Sequence, residues 1–368
     1  MALQQGLESL NKIAVFTKYS RKGASSRLRT FQYIPELEYG SIEFKLFSLF
    51  DDSYLDALYN NKKVSPWYVL RRYLKRLFEL CTVWKYDIIW IEKELFPYFP
   101  SVFEQLLAVF GIKYIVDYDD AIFHNYDLSD NYIIRLILSR KIDKVMKYSK
   151  YVLAGNSYLA DRAIKAGAKH VEIIPTVVDH KKYRLKFEKQ SNAKLTIGWI
   201  GTPYTQKYLI QLAPILKELH SKHSIKFIFI GASDEIRSHF QDCEVQVDTW
   251  SEETEIDSLS NIDIGIMPLP NAPWENGKCG YKLIQYMAVG KAVVGSNVGV
   301  NREIIERCNS GFCVDNCNDW LSALDKLITD EVLLDKIKIN AIEGIEKYYS
   351  LVSQAPKIKK VLLKVFNG

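Results

Sequence analysis

The stretch ENGKCGYKLIQYMAVGKAVVGSNVG, residues 275–299, joins a glycine-rich segment, a helical pattern (YKLIQYMAV) and a buried-strand pattern (KAVVGS). Gly277 and Gly280 allow a ligand to approach the backbone closely. Unpaired N–H groups at the start of a helix favour an anion, and Lys278 and Lys282 add positive charge beside them. This stretch therefore predicts an α/β unit with an anion-binding turn before the helix.

Short apolar strand patterns alternate with longer amphipathic segments on both sides of this stretch. Examples are KIAVFT, DIIWIE and YVLAG in the first half, and LTIGWIG, IKFIFIG and IDIGIMP in the second. Apolar strands separated by helices indicate parallel sheets covered on both faces. We therefore expect an α/β fold of two Rossmann-like, doubly wound domains, with the ligand at the carboxyl ends of the strands in a cleft between them.

The segment DHKKYRLKFEKQSNAK, residues 179–194, is charged and has no clear apolar period, which is typical of a linker. We predict a first domain over 1–184, a linker over 185–194 and a second domain over 195–348. A C-terminal helix over 349–368 is expected to pack back on the first domain.

Composition and charge narrow the class of protein. The chain has 368 residues, of which 48% are apolar and 25% charged, which is typical of a globular protein with a large core. The net charge of +5 is too small to indicate nucleic-acid binding, and no such module is recognisable. The six cysteines are scattered without a CxxC pair, and no secretory or membrane-spanning pattern is found. We expect a cytoplasmic protein with reduced thiols.

The stretch WYVLRRYLKRLFEL, residues 67–80, mixes basic and aromatic residues in one helical pattern. Such a helix can lie on an anionic membrane surface with its apolar face inserted. A core-facing helix with a solvated basic face gives the same pattern. Peripheral contact with the inner face of the cell membrane is therefore one of two open interpretations.

A second helix start that suits an anion follows the strand LTIGWIG, which ends at Gly201. Thr202 contributes a hydroxyl and Lys207 an ammonium group there. Two such helix starts in one domain suit a diphosphate, and Gln285 can hydrogen-bond a ribose.

These segments resemble the retaining nucleotide-sugar glycosyltransferases of family 4 (glycosyltransferase group 1), which have the two-domain GT-B fold. The resemblance covers nearly the whole chain and is most specific in GKCGYKLIQYMAVGKAVVGSNVGVNREII; it is also visible in WIGTPYTQKYL, NIDIGIMPL and YIVDYDDAIF. It implies a metal-independent enzyme of hexosyltransferase type without a cofactor, whose second domain holds the donor. The donor would be a nucleotide-sugar, of UDP type, and the acceptor a glycan or lipid-linked molecule in bacterial surface-polysaccharide biosynthesis.

The donor site departs from the family pattern at both motif glutamates. The first, which usually contacts the donor sugar, falls on Gly277, and the second, which usually holds the ribose, falls on Gln285. Gln285 retains the hydrogen bonds that a ribose needs, and Glu275 is the candidate replacement for the sugar contact.

Phosphate neutralisation is also redistributed. The family's arginine after the first strand of this domain falls on Thr202, while its lysine is kept as Lys207, so the resemblance assigns the phosphates to Lys207 and Lys282. Glu303 matches the acidic residue of the family's x-E-I-V segment; favourable charge at a helix start is an equal explanation.

In the first domain, SRKGASSRLR follows the first strand, and Gly23 occupies the family's glycine-rich loop near donor phosphate and acceptor. Arg27 and Arg29 lie early in a helical pattern, where positive charge opposes the helix dipole. An anionic ligand and plain surface charge are the two explanations.

The stretch VDYDDAIF carries most of the chemistry of this domain. The family often has a His–Asp pair here that meets the donor sugar, and Asp119 and Asp120 fall on these positions. We predict them as catalytic. An Asp-x-Asp metal motif and a helix cap by one of the aspartates are the rival interpretations.

Glu92 and Glu94, in IEKEL, end the preceding strand and are candidates for an acceptor-side base. Two other functions stay open. A dinucleotide-dependent oxidoreductase lacks its G-x-G-x-x-G fingerprint in both domains. A non-catalytic relative that binds nucleotide-sugar is compatible with Gly277.

Overall fold

The computed structural model describes residues 11–38, 42–59, 62–184 and 194–368. The chain divides into two compact units, Met1–Thr176 with Gln354–Gly368, and Val177–Ser353. The linker expected at 185–194 lies outside the described residues, apart from Lys194. The domain limits drawn from the sequence stay a prediction.

The first unit contains a six-stranded parallel sheet in the order β2-β1-β3-β4-β5-β6. The central strands β3 and β4 are buried at every position, whereas the edge strand β2 is partly exposed. This follows from the sequence, because continuous apolar runs suit strands covered on both faces. The strands are β1 (Asn11–Tyr19), β2 (Ile42–Phe50), β3 (Ile88–Glu92), β4 (Tyr114–Tyr118), β5 (Tyr151–Ala154) and β6 (Val171–Ile173).

Helices connect the strands of the first unit. The helix after β5 begins where the Asn156 side chain accepts from the Leu159 N–H, and it ends at Gly167, whose φ is 88°. The helices are α1 (Ala24–Ser26), a π-helical turn (Arg27–Phe31), α2 (Ile34–Leu37), α3 (Asp52–Tyr59), α4 (Pro66–Leu80), a 3-10 turn (Val83–Lys85), α5 (Val102–Val109), α6 (His124–Asp127), α7 (Tyr132–Leu138), α8 (Lys141–Tyr148) and α9 (Ser157–Ala166).

The second unit contains another six-stranded parallel sheet, in the order β12-β11-β10-β7-β8-β9. Strand β8 sends Phe227 and Phe229 into one buried cluster and Ile228 and Ile230 into another. Because successive side chains of a strand point to opposite faces, both faces of this sheet are covered. The strands are β7 (Leu195–Ile200), β8 (Ile225–Ile230), β9 (Val245–Asp248), β10 (Ile264–Met267), β11 (Ala292–Ser296) and β12 (Gly311–Val314).

The last helix of the chain contributes to both units. Its residues from Gln354 onward group with the first unit, where Lys113 Nζ donates to the carbonyls of Val365 and Phe366. The remaining helices are α10 (His180–Arg184), α11 (Gln206–Lys222), a 3-10 turn (Asp234–Phe240), α12 (Glu255–Ser260), α13 (Pro273–Asn276), α14 (Tyr281–Ala288), α15 (Asn301–Cys308), α16 (Cys317–Thr329), α17 (Glu331–Tyr348) and α18 (Leu351–Asn367).

Helix α4 turns two of its arginines inward and exposes several of its apolar side chains. Arg76 is buried and donates to the carbonyls of Thr17 and Phe47, and Arg72 donates to the carbonyls of Leu49 and Ser48. The apolar side chains of the opposite face are exposed: Trp67, Leu70, Leu74 and Phe78. The expectation of a solvated basic face on residues 67–80 holds only in part, because Arg71 and Lys75 are exposed whereas Arg72 and Arg76 are turned inward. Within the described parts of the chain, no helix combines the length and apolarity needed to cross a bilayer.

Candidate functional site

In the second unit, the end of β7 and the helix α14 meet. The Ile200 N–H donates to the Tyr286 hydroxyl at 2.8 Å, and the Lys282 ammonium lies 4.7 Å from the centre of the Trp199 ring. The two segments that carry the predicted donor residues are thus neighbours at the carboxyl edge of this sheet. In open α/β sheets this edge is where ligands bind.

Gly201 is packed closely against two side chains, so that a larger residue would require them to shift. A Cβ atom there would overlap the Trp199 ring and lie 2.9 Å from Thr205 Oγ1. Thr202 follows on the surface, with its N–H donating to Thr205 Oγ1 and its carbonyl accepting from the N–H groups of Thr205 and Gln206. These bonds close the turn that starts α11, so the turn is firmly shaped.

Lys282 is a half-buried cation without a counter-charge. No acidic side chain among the described residues forms an ion pair with it. Burial, together with the nearby Lys278 ammonium, lowers the pKa of Lys282 to about 7. A partly desolvated ammonium that lacks a carboxylate is stabilised by an anionic ligand.

Glu275 and Lys207 flank this position. Glu275 is buried, and its Oε1 accepts from the Tyr208 hydroxyl at 2.5 Å, which joins α13 to α11. Lys207 is exposed, with its ammonium 4.7 Å from the Tyr204 ring centre and 5.2 Å from that of Tyr208. Gly277 ends α13, where its N–H donates to the Trp274 carbonyl.

Gln285 and Glu303 differ in their surroundings. Gln285 is buried on α14, one turn beyond Lys282. Glu303 is half-exposed in the first turn of α15 and forms an ion pair at 2.8 Å with Arg307, four residues later. This pair gives Glu303 a local role in its own helix.

In the first unit, the carboxyl ends of β1, β3 and β4 meet around Lys93. The Lys93 ammonium lies 2.8 Å from Asp119 Oδ1, 3.6 Å from Asp120 Oδ2 and 3.0 Å from the Ser25 hydroxyl. Burial acts to lower the pKa of Lys93, but the surrounding carboxylates raise it above its ordinary value. For Asp119, burial is outweighed by this ammonium, and the pKa is lowered. The sequence analysis did not select Lys93, although it lies between the two glutamates of IEKEL.

Glu92 holds the loop after β1. One of its oxygens accepts from the Lys18 N–H at 3.1 Å and from the Ser26 hydroxyl at 2.6 Å. The other oxygen, Oε1, is buried and has no hydrogen-bond partner within the described part of the chain, and burial raises the pKa of Glu92. Gly23 lies in the same loop, where a Cβ atom would be 2.5 Å from Tyr19 Cβ.

The two arginines after Gly23 are buried, so the interpretation as plain surface charge is wrong. Arg29 Nε donates to Asp117 Oδ1 at 2.8 Å, and another of its nitrogens donates to the Ile174 carbonyl at 2.6 Å. Burial raises the pKa of Asp117 to about 6, against the opposing effect of Arg29. Arg29 thus ties the π-helical turn to β4 inside the protein, and Arg27 is buried in the same turn.

Glu94 is held in a separate buried network. Its carboxylate forms an ion pair with Lys141 and accepts from the Tyr126 hydroxyl at 2.8 Å. Lys141 also donates to the Phe96 carbonyl. This geometry opposes a role for Glu94 as an acceptor-side base and gives it a structural role.

The described residues contain no group of three or more His, Cys, Asp or Glu side chains placed to hold a metal ion. The Asp-x-Asp sequence is Asp117-Tyr118-Asp119, and both carboxylates are already paired with protein cations, Asp117 with Arg29 and Asp119 with Lys93. This donor set fits an ion pair better than a divalent cation, which prefers several free oxygen ligands.

Comparisons with known proteins bear on the family and the fold of this chain. Residues 194–330 match the family model described as Glycosyl transferases group 1, and a search of curated proteins gives no match. The structure resembles sucrose-phosphate synthase from Thermosynechococcus elongatus, with a TM-score of 0.72 and 12% identity over 97% of this chain and 99% of that one.

Two further solved structures have the same architecture. Anabaena HepE in complex with UDP-glucose has a TM-score of 0.69 and 16% identity over 96% of this chain and 99% of that one. WaaG, a glycosyltransferase involved in lipopolysaccharide biosynthesis, has a TM-score of 0.64 and 12% identity over 95% and 99%. The predicted GT-B fold and the resemblance to group 1 glycosyltransferases are confirmed, and the second unit carries the matching segment.

Proposed function

We propose that this protein transfers a sugar, with retention, from a UDP-type nucleotide-sugar to a glycan or lipid-linked acceptor, without a metal ion. One observation carries the proposal. Lys282 is a half-buried ammonium without a carboxylate partner among the described residues, and it lies at the carboxyl edge of the sheet beside the Gly201 turn. The donor diphosphate supplies the missing negative charge.

The second unit stabilises the leaving group in this proposal. As the bond between sugar and diphosphate breaks, negative charge grows on the diphosphate. A cation that is already fixed in place favours that transition state over the bound donor. Lys282 is fixed by its packing over Trp199, and the same Trp199 ring packs closely against Gly201. Lys207 adds a second, mobile cation, and Gln285 is proposed to bind the ribose.

The first unit contributes Asp119 and Asp120 to the acceptor and the transferred sugar. Their carboxylates accept hydrogen bonds, and Asp120 is the more exposed, with 31% of its side chain accessible against 13% for Asp119. This makes Asp120 the better candidate to contact a hydroxyl group of the substrate.

The exposed face of α4 supports peripheral membrane contact, which would bring a lipid-linked acceptor to the enzyme at the inner face of the membrane. Trp67 and Phe78 are 78% and 74% exposed, and Lys75 is exposed beside them. An apolar stripe flanked by cations suits insertion into an anionic surface.

Replacement of Lys282 tests the donor assignment. We expect Lys282→Met to weaken UDP binding by about 10- to 100-fold, because a charge-assisted contact to phosphate is lost. Binding is measured by calorimetry after a thermal-shift screen of UDP, GDP, ADP and dTDP. Lys291→Met is the matched control, since Lys291 is also partly buried in the second unit but donates to the Ser260 carbonyl.

The outcomes separate the alternatives. UDP affinity unchanged by Lys282→Met would overturn the donor assignment. Nucleotide binding without release of UDP from any UDP-sugar, with or without acceptor sugars, would favour a non-catalytic relative. A response to NADH instead of the nucleoside diphosphates would favour the oxidoreductase.

A further inference from the structure

The backbone at Lys93 has a conformation that residues other than glycine rarely adopt. Its φ is 64°, in the left-handed region, and the Glu94 N–H donates to the Glu92 carbonyl at 2.7 Å across it. Such a tight three-residue turn is rare, and strained positions of this kind are concentrated at functional sites. The turn is held in place by the Lys93 N–H, which donates to the Asp117 carbonyl at 2.9 Å.

This turn, which follows β3, places the ammonium among groups that follow two other strands. Ser25 comes from the loop after β1, and Asp119 and Asp120 come from the segment after β4. Lys93 is only 7% exposed, whereas Asp120 is partly open to solvent. The Lys93 ammonium therefore contacts the two carboxylates from the protein interior. Solvent reaches the carboxylates, mainly at Asp120, rather than the ammonium.

We propose that Lys93 is a positioning residue for the transfer reaction: its ammonium fixes Asp119 and Asp120 in their charged form at the carboxyl edge of the first sheet. This rests on the proposed function, because the two aspartates act on the substrate only if sugar transfer occurs. Lys93 itself does not touch the substrate; it acts through the carboxylates.

Charge balance explains why a cation is needed there. Several carboxylates share a small buried volume, and like charges at close range favour protonation of one of them. The charged and titratable groups that face this volume come from every surrounding element: Tyr19, Arg29, Glu92, Asp117, Asp119 and Asp120. Without the ammonium, the carboxylates take up a proton at a higher pH and lose their anchor.

The test replaces Lys93 by methionine, which keeps the length of the side chain and removes the charge. We expect kcat with a UDP-sugar donor to fall roughly 100-fold at pH 7, because small displacements of reacting groups have effects of this size. The acidic limb of the pH–rate profile shifts to higher pH, since a carboxylate with a raised pKa is protonated earlier as the pH falls. Raising the pH then restores part of the lost rate.

Lys141→Met is the matched control. Lys141 is equally buried and also neutralises a carboxylate from the same loop, Glu94. It is expected to reduce stability and to leave the pH–rate profile in place. A Lys93→Met variant whose rate falls equally at every pH, or whose profile matches that of Lys141→Met, overturns the proposal.

A titration that does not depend on activity separates this proposal from the proposed function. Carboxyl-¹³C NMR, with the Asp119 signal assigned from an Asp119→Asn variant, is expected to show a pKa below the ordinary aspartate value in the wild type. The pKa is expected to rise in Lys93→Met and to stay low in Lys93→Arg. A wild-type Asp119 that titrates at or above the ordinary value overturns the proposal even if neither variant folds. A wild type with the low value but no transfer from any UDP-sugar contradicts the proposed function alone.

Discussion

Two lysines of this protein, the buried Lys93 and the half-buried Lys282, have opposite electrostatic surroundings. Lys93 lies among carboxylates of its own chain, and these raise its pKa despite burial. Lys282 has no such partner among the described residues, and burial lowers its pKa to about 7. The first is a cation whose charge the protein already neutralises. The second would be stabilised by an external anion, which supports the proposed position of the donor phosphates in the second unit.

The lowered pKa of Lys282 predicts that UDP binding depends on pH. Below pH 7 the lysine is already protonated in the free protein, so binding needs no additional proton. Above pH 7 it is largely neutral, and the bound diphosphate raises its pKa, so binding takes up a proton. UDP affinity is therefore expected to fall as the pH rises above 7, by up to about tenfold per unit.

Calorimetry in buffers of different ionisation heat measures this proton uptake. The proton uptake measured for Lys282→Met is subtracted first, because it contains the titration of UDP itself. The remaining uptake is expected to be near zero at pH 6 and to approach one proton at pH 8.5. Equal uptake by the wild type and the variant would show that Lys282 does not titrate with the ligand.

At the scale of elements, the start of α14 depends on a glycine. Gly280 precedes the helix with a φ of 64°, and a Cβ atom there would overlap Ile304 Cδ1 and lie 3.3 Å from Asn301 Oδ1. We expect Gly280→Ala to destabilise the second unit by about 2–4 kcal/mol, from left-handed strain and overpacking together. Hydrogen exchange in α14, which reports on this unit separately, measures the effect.

Gly167→Ala controls for the backbone contribution alone. Gly167 has a φ of 88° after α9, but the nearest atom to an added Cβ, Lys147 Cδ, is 3.9 Å away. We expect Gly167→Ala to destabilise α9 by about 1 kcal/mol, as measured by hydrogen exchange in that helix. If Gly280→Ala destabilised the second unit no more than Gly167→Ala destabilises α9, α14 would tolerate displacement, and the close fit at the turn before α14 would be refuted.

The sequence predicts the strands and helices well, but it does not predict which face of every helix is buried. Both sheets follow from apolar periodicity, which depends on local residues, and the Asn156 and Gly167 boundaries of α9 follow from capping chemistry. The orientation of α4 does not, because Arg72 and Arg76 are satisfied by carbonyls of β1 and β2, which are distant in sequence.

Site residues show the same limit. The sequence predicts that Lys282 lies at an anion-binding helix start, because this lysine follows a glycine-rich turn. The role of Lys93 is not, because lysine gives no signal for a left-handed φ, and its partners come from other strands. Arg29 looked like a surface or ligand-binding charge, and only the folded chain shows its pairing with Asp117.

At the scale of the whole molecule, large exposed apolar side chains are concentrated in the first unit. Besides those of α4, they include Val102, Leu106, Val109 and Phe110 on or beside α5, and Tyr132, Ile133, Leu136 and Ile137 on α7. Monomeric proteins rarely expose so many apolar residues in one region without a partner surface. The flanking cations of α4 favour an anionic bilayer as that partner.

The vesicle-binding prediction belongs to this surface. We expect the double variant Trp67→Ser, Phe78→Ser to bind phosphatidylglycerol-containing vesicles at least about tenfold more weakly than the wild type, because the two most exposed anchors of α4 are lost. Binding should fall with added salt, since Arg71 and Lys75 contribute an electrostatic part that ions screen. Cosedimentation with vesicles of defined composition provides the measurement.

The control for this variant is Val332→Ser, which removes an apolar side chain that is 82% exposed on α17 in the second unit. It should leave vesicle binding unchanged, as should UDP affinity in the α4 variant. Neutral phosphatidylcholine vesicles should bind weakly in every case. If the wild type binds neutral and anionic vesicles equally, or if Val332→Ser weakens binding as much as the α4 change, the attraction is not specific to α4. The exposed stripe would then have to serve a protein partner instead.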